Sequence, residues 1–165
     1  TWSPGTTIAP TISGKQGARI DQLVRQTEQE GATLLCGGKT HRIADGHYYA
    51  GTILDHVTAD MTGFRQEIFG PVLCVQRFGD NDIDRVVREA NSTIYGLSGS
   101  VWTRDIGVAL QMVRKIDSGQ VSVNMHAALD PAVPFGGNKQ SGWGREFGAE
   151  GLDAYLKTKA ITVTW

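Results

Sequence analysis

Glu67 stands where a carboxylate is costly. It lies in Arg65-Gln66-Glu67-Ile68-Phe69-Gly70-Pro71-Val72, just ahead of an apolar run. A carboxylate set against a buried strand needs a hydrogen-bond partner. A ligand hydroxyl is one such partner, a surface turn in water is the alternative, and residue type alone weighs the two evenly. The other chemistry-bearing residues say less. Cys36, His41 and His47 are zinc-ligand types, but they lack a fourth ligand and their spacing fits no compact site. Asp80, Asp82 and Asp84 begin like a calcium loop, yet Arg85 stands where glycine is needed and Asn91 where the closing carboxylate belongs, so helix capping accounts for them better. His126 has no Ser, Cys or carboxylate beside it and reads as a packed or hydrogen-bonded histidine. Gly142, Gly144 and Gly148 are spaced G-x-G-x-x-x-G with no buried strand immediately ahead, which does not meet the dinucleotide fingerprint. Gly14-Lys15 has Ala9 and Gln16 where a phosphate loop needs glycine and a hydroxyl residue.

The elements that must position these residues can be read from periodicity. Ile20, Leu23 and Val24 recur at i, i+3, i+4 and predict a helix over residues 16–30 stopped by Gly31. Strands are expected at 32–36 and 48–54 with a loop between them, and a largely buried strand at 72–78. Asp82 should cap a helix carrying Ile83, Val86, Val87 and Ala90 and ending near Asn91. A strand at 98–103 leads to a helix capped by Thr103 or Asp105, with Ala109, Met112, Val113 and Ile116 on one face and Gly119 as its stop. Strands at 120–125 and 160–165 follow, the last alternating Ile161, Val163 and Trp165 with threonines. This alternation of strand and helix is the α/β class.

Composition narrows the function. The 165 residues carry 16 Lys+Arg against 17 Asp+Glu, a net charge of −1, so no strongly charged face is expected for a polyanion. Trp2, Trp102, Trp143 and Trp165 are not interleaved with Lys or Arg, and no nucleic-acid platform is expected. No apolar run is long enough to span a membrane. Two cysteines in apolar runs give no disulfide framework and imply a reducing, cytoplasmic setting. Thr1 opens the sequence without an initiator Met, which implies that the chain is part of something larger. The 21 glycines, many of them between Gly136 and Gly151, suggest backbone held close to something.

Several segments, taken in order, carry a resemblance. These are Gly31-Ala32-Thr33-Leu34-Leu35-Cys36-Gly37-Gly38, Gln66-Glu67-Ile68-Phe69-Gly70-Pro71-Val72, Ala90-Asn91 with Tyr95-Gly96-Leu97, Val123-Asn124, Pro134-Phe135-Gly136-Gly137-Asn138-Lys139-Gln140-Ser141-Gly142, and Gly144-Arg145-Glu146. As a set, from about Ile8 onward, they resemble the NAD(P)-dependent aldehyde dehydrogenase family. The resemblance implies the C-terminal part of the catalytic domain over residues 1–155 and an oligomerisation strand over 156–165, giving a homodimer or homotetramer. It implies that Glu67 binds the nicotinamide-ribose hydroxyls of NAD or NADP and that Phe69 packs beside the nicotinamide. Gln16 and Arg19 fall at polar contacts near the adenosine ribose, with Arg19 replacing the commoner Lys, and Leu97 at an apolar position near the cofactor. Phe135 would line the aldehyde tunnel, with Met125, His126 and Leu129 on the loop that shapes it. That loop, residues 125–133, is similar to the loop of members acting on aromatic aldehydes such as phenylacetaldehyde.

Two departures stand out. Gln66 replaces a frequent second Glu, and Asn138 replaces an aromatic or similar residue after the paired glycines. The family's nucleophilic Cys, general-base Glu and oxyanion-stabilising Asn have no counterpart here, since neither Cys36 nor Cys74 matches the nucleophile. The resemblance therefore implies a catalytically incomplete piece of an enzyme that oxidises an aldehyde to a carboxylic acid. It would need the upstream remainder of the same protein and be inactive alone. The rivals are a dead interaction module derived from the family and a metal-binding domain using Cys36 and the histidines.

Overall fold

A computed structural model of the chain describes residues 4–126 and 129–165. The chain forms two compact units, Thr1–Phe78 and Gly79–Trp165.

In the first unit, α1 (Gly14–Gln29) buries Ile20, Leu23, Val24 and Thr27, a helical stripe that the sequence shows directly. The Ser13 hydroxyl accepts from the Gln16 N–H and caps the start. Gly31, at φ +116°, ends the helix. Its N–H bonds the Glu28 carbonyl and the Ala32 N–H bonds the Thr27 carbonyl, which satisfies two otherwise free acceptors. β1 (Thr33–Cys36) follows, then a hairpin of β2 (Thr40–Ile43) and β3 (Gly46–Tyr49), then β4 (Thr52–Asp55), the single turn α2 (Thr62–Arg65) and β5 (Val72–Cys74). The sheet order is β1-β4-β5, with β1 antiparallel and β5 parallel to β4. The Glu30 carboxylate ties α1 to α2 by accepting from the Thr62 N–H and hydroxyl.

The β2–β3 hairpin replaces an expected loop. Its first strand is exposed throughout and carries three polar side chains before a single apolar Ile43, so no apolar alternation marks it. The strand expected over 48–54 is broken at Ala50 and Gly51. The strand expected over 72–78 shortens to three residues and leaves Leu73 exposed, because β5 is a sheet edge and not a central strand. Ile20, Leu23, Val24, Ala32, Tyr49, Leu54, Val57, Met61 and Ile68 close into one core. Each large member contributes roughly 1.5–3 kcal/mol by burial.

The second unit starts with α3 (Ile83–Ala90), then β6 (Tyr95–Gly96), β7 (Ser98–Val101), α4 (Ile106–Lys115), β8 (Gln120–Val123), β9 (Asn138–Lys139) and α5 (Gly148–Asp153). β7, α4 and β8 form a βαβ unit with parallel strands, and β6 pairs antiparallel with β9. The Asp105 carboxylate caps α4 by accepting from the Gly107 and Val108 N–H groups. Asp82 does not cap α3 in this way; its carboxylate takes the Gly79 N–H and the Arg85 guanidinium instead. Nor does Gly119 stop α4. The helix ends at Lys115 when Ile116 turns to extended backbone, and Gly119 is small because a Cβ there would collide with the Gly136 carbonyl.

No regular structure forms over residues 156–165, where a strand is expected from the sequence. A strand requires a partner for its N–H and C=O groups, and among the described residues no strand pairs with that segment. Among the described residues no helix is long and apolar enough to cross a membrane.

Candidate functional site

The candidate cofactor residues of the first unit converge on one loop. Gln16 and Arg19 sit three residues apart in the first turns of α1, on one face. The Gln16 amide donates to the carbonyls of Phe69 (3.0 Å) and Ile68 (3.3 Å). The Arg19 guanidinium forks across the carbonyls of Ile68 and Glu67, both at 3.0 Å. Three successive carbonyls are thus held by two side chains. From the other side Ile68 plugs the core. Gly70 lets the loop approach α1 closely, since a Cβ there would lie 2.5 Å from the Ile20 side chain.

Phe69 is the strained point of this loop. At φ +55° it occupies the left-handed region that a phenylalanine adopts at a cost of about 1 kcal/mol or more. The surrounding bonds over-determine that conformation. The residue is 75% exposed. The Glu67 side chain is exposed too and its carboxylate has no hydrogen-bond partner among the described residues, which puts it on the surface of the loop. Of the three residues Glu67, Ile68 and Phe69, Ile68 alone turns inward. The Gln16 amide and the Arg19 guanidinium are engaged by backbone carbonyls of this loop. Sequence reasoning finds the four residues but misses the clamp that joins them.

The second unit gathers a different set. Leu97 and Phe135 line one cavity of about 330 Å³ together with Gly136, Gly137, Ser141, Trp143 and Arg145. Phe135 and Glu146 exchange both backbone hydrogen bonds at 2.7 Å, and the Ser141 hydroxyl accepts from the Gly96 N–H at 3.0 Å. Met125, His126 and Leu129 are exposed and do not line this cavity. Ala127 and Ala128 of the same loop lie outside the described residues. Where that loop leaves β8, Asn124, at φ +53°, exchanges two 2.9 Å bonds with the Thr103 backbone through its side-chain amide.

Burial pushes the Cys74 thiol up, away from thiolate character, and it donates to the Gly63 carbonyl. Cys36, His41 and His47 do not gather, and the described residues contain no group of three or more His, Cys, Asp or Glu able to hold a metal ion.

Comparison with known proteins follows the same lines. Residues 1–161 match the aldehyde dehydrogenase family. The chain is 38% identical over 162 residues to phenylacetaldehyde dehydrogenase of Pseudomonas fluorescens, covering 98% of this chain and 32% of that protein. Its fold superposes on an NAD-dependent aldehyde dehydrogenase from Sinorhizobium meliloti with a TM-score of 0.92 and 40% identity, over 98% of this chain and 32% of that one. Betaine aldehyde dehydrogenase from Staphylococcus aureus, solved in complex with NAD+, gives a TM-score of 0.88 and 35% identity, covering 95% of this chain and 31% of that one. The chain therefore spans about a third of the length of these three proteins.

Proposed function

Because the chain belongs to the aldehyde dehydrogenase family, we propose that it supplies one wall of an NAD-dependent active site in a longer enzyme that oxidises an aldehyde to a carboxylic acid. The observation that carries this reading is the clamped loop, which holds an exposed carboxylate and an exposed aromatic ring two residues apart on fixed backbone. These groups fit the nicotinamide-ribose half of a dinucleotide. Glu67 would accept both ribose hydroxyls and Phe69 would pack on the ring. Once bound, the dinucleotide supplies the hydride acceptor. Holding that acceptor in place is itself a large part of such catalysis, because positioning lowers the barrier.

In this reading Gln16 and Arg19 serve the cofactor through the loop they hold. Leu97 gives an apolar contact near the cofactor, and Phe135, Met125, His126 and Leu129 shape the aldehyde tunnel. The nucleophilic thiolate and its base come from outside this chain, in keeping with the raised thiol of Cys74. The similarity to phenylacetaldehyde dehydrogenase favours an aromatic aldehyde. Residues 156–165, exposed and outside any sheet, would form their strand on another chain of a homo-oligomer. Two unbridged cysteines favour the cytosol.

The test is Glu67→Gln in the full-length enzyme. It should lower kcat by about tenfold or more and leave the aldehyde KM within about twofold. The 165-residue chain alone should form no NADH from aldehyde and NAD+. An unchanged kcat in Glu67→Gln, or turnover by the chain alone, would overturn the reading.

A further inference from the structure

We propose that Asn138, next after the paired glycines Gly136 and Gly137, is a positioning residue for Phe135. The proposal rests on the reading of Phe135 as a tunnel wall. The turn that carries Phe135 is rich in glycine, and two of its glycines, Gly136 and Gly144, lie so close that a Cβ on the first would collide with the carbonyl of the second. Such a turn needs another restraint. Arg145 provides it by donating to the Gly137 carbonyl (2.7 Å) and the Gly144 carbonyl (2.9 Å), one on each side of the turn.

What fixes Arg145 is Asn138. Its Oδ1 accepts from the guanidinium at 2.8 Å and its Nδ2 donates to the Asp117 carboxylate at 3.0 Å. The amide orientation follows from chemistry, since a guanidinium only donates and a carboxylate only accepts. Asp117 is held in turn: its backbone N–H donates to the Asn91 side chain at 2.8 Å, and Lys139 Nζ lies 3.5 Å from its second oxygen. Lys139 also donates to the Asn91 and Thr93 carbonyls. A polar relay therefore runs from Asp117, just past α4, through Asn138 and Arg145 to the turn behind Phe135. Among side chains of this size, the carboxamide joins a carboxylate to a guanidinium by giving to one and taking from the other. An aromatic residue makes neither bond, and aspartate loses the donor.

Two variants and two readouts test this. Hydrogen exchange on the 165-residue chain should show the Phe135 and Glu146 amides exchanging about tenfold faster in Asn138→Leu, with a smaller increase in Asn138→Asp, which keeps the acceptor for Arg145. The β7 and β8 amides, unchanged, report that the second unit stays folded in both variants. In the full-length enzyme Asn138→Leu should raise the aldehyde KM about tenfold while the NAD+ KM stays within about twofold. Unchanged exchange at Phe135 and Glu146 in Asn138→Leu overturns the relay. Faster exchange with an unchanged aldehyde KM keeps the relay and overturns the assignment of Phe135 to the tunnel on which the proposal rests.

Discussion

The two units hold their candidate site loops by different means. In the first, Ile68 is a member of a nine-residue apolar core, and Glu67 and Phe69 flank it on backbone whose carbonyls α1 grips. In the second, the buried apolar residues among those described are Val87, Val101 and Ala109, and the turn beyond Phe135 is held by Arg145, Asn138 and Asp117. Trp102, Ile106, Leu110, Met125 and Leu129 stay exposed there. A loop backed by a core survives the loss of one hydrogen bond at modest cost, whereas a loop held by a relay loses its restraint when any member changes. The contrast also bears on stability, because apolar burial does most to favour the folded state.

The largest expected effect separates the units outright. Residues 1–78 produced alone should unfold cooperatively in urea, and residues 79–165 alone should show a broad, non-cooperative change by circular dichroism. A sharp transition in the second piece would break the comparison. Within the intact chain, Leu54→Ala should cost about 2–5 kcal/mol, since Leu54 is fully buried. Leu110→Ala on half-exposed α4 should cost within about 1 kcal/mol by the same urea titration.

A pH dependence sharpens the picture of the first unit. The Arg77 guanidinium, 2.7 Å away, and the His56 N–H hold the Asp55 carboxyl below its ordinary range, and the side chain is nearly buried. A carboxyl depressed in the folded state contributes stability that is present above the ordinary aspartate value of about 4 and lost as pH falls through the lower folded value. The urea midpoint of the chain should therefore fall below about pH 4. Arg77→Gln should lower the midpoint at pH 7 and flatten that acid limb. An acid limb as steep in Arg77→Gln as in the parent would assign it to other carboxylates. The smallest effect is expected at Tyr49, whose buried hydroxyl is pushed up to about 12 by that burial and by the nearby Asp21 carboxylate. Tyr49→Phe removes one buried hydroxyl and keeps the ring, and should change the urea midpoint by no more than about 1 kcal/mol of stability.

Much of the fold is legible in the sequence where a period carries it. α1, α3 and α4 follow apolar residues at three- and four-residue spacing, and Asp105 caps α4 as its type suggests. The β2–β3 hairpin escapes because its exposed strand carries no apolar alternation. The strand expected at 160–165 rests on alternation alone, but pairing depends on a neighbour that the described residues do not provide. In the candidate site the residues Gln16, Arg19, Glu67 and Phe69 are picked out by resemblance, and the clamp is not. Its acceptors are backbone carbonyls, which every residue type carries, so no side-chain pattern marks them. The role of Asn138 is hidden for a related reason: its partners Asp117 and Arg145 lie 21 and 7 residues away, and only the β6–β9 pairing and the turn bring them together.

That α1 acts on the cofactor through the loop bearing Glu67 is tested most directly by a double-mutant cycle. Arg19→Ala, Glu67→Gln and the pair, made in the full-length enzyme, would be compared by the single-turnover rate of NADH formation. If Arg19 works through Glu67, the pair should be no slower than Glu67→Gln alone, within about twofold. If the two losses multiply, Arg19 contributes independently of Glu67 and the claim fails.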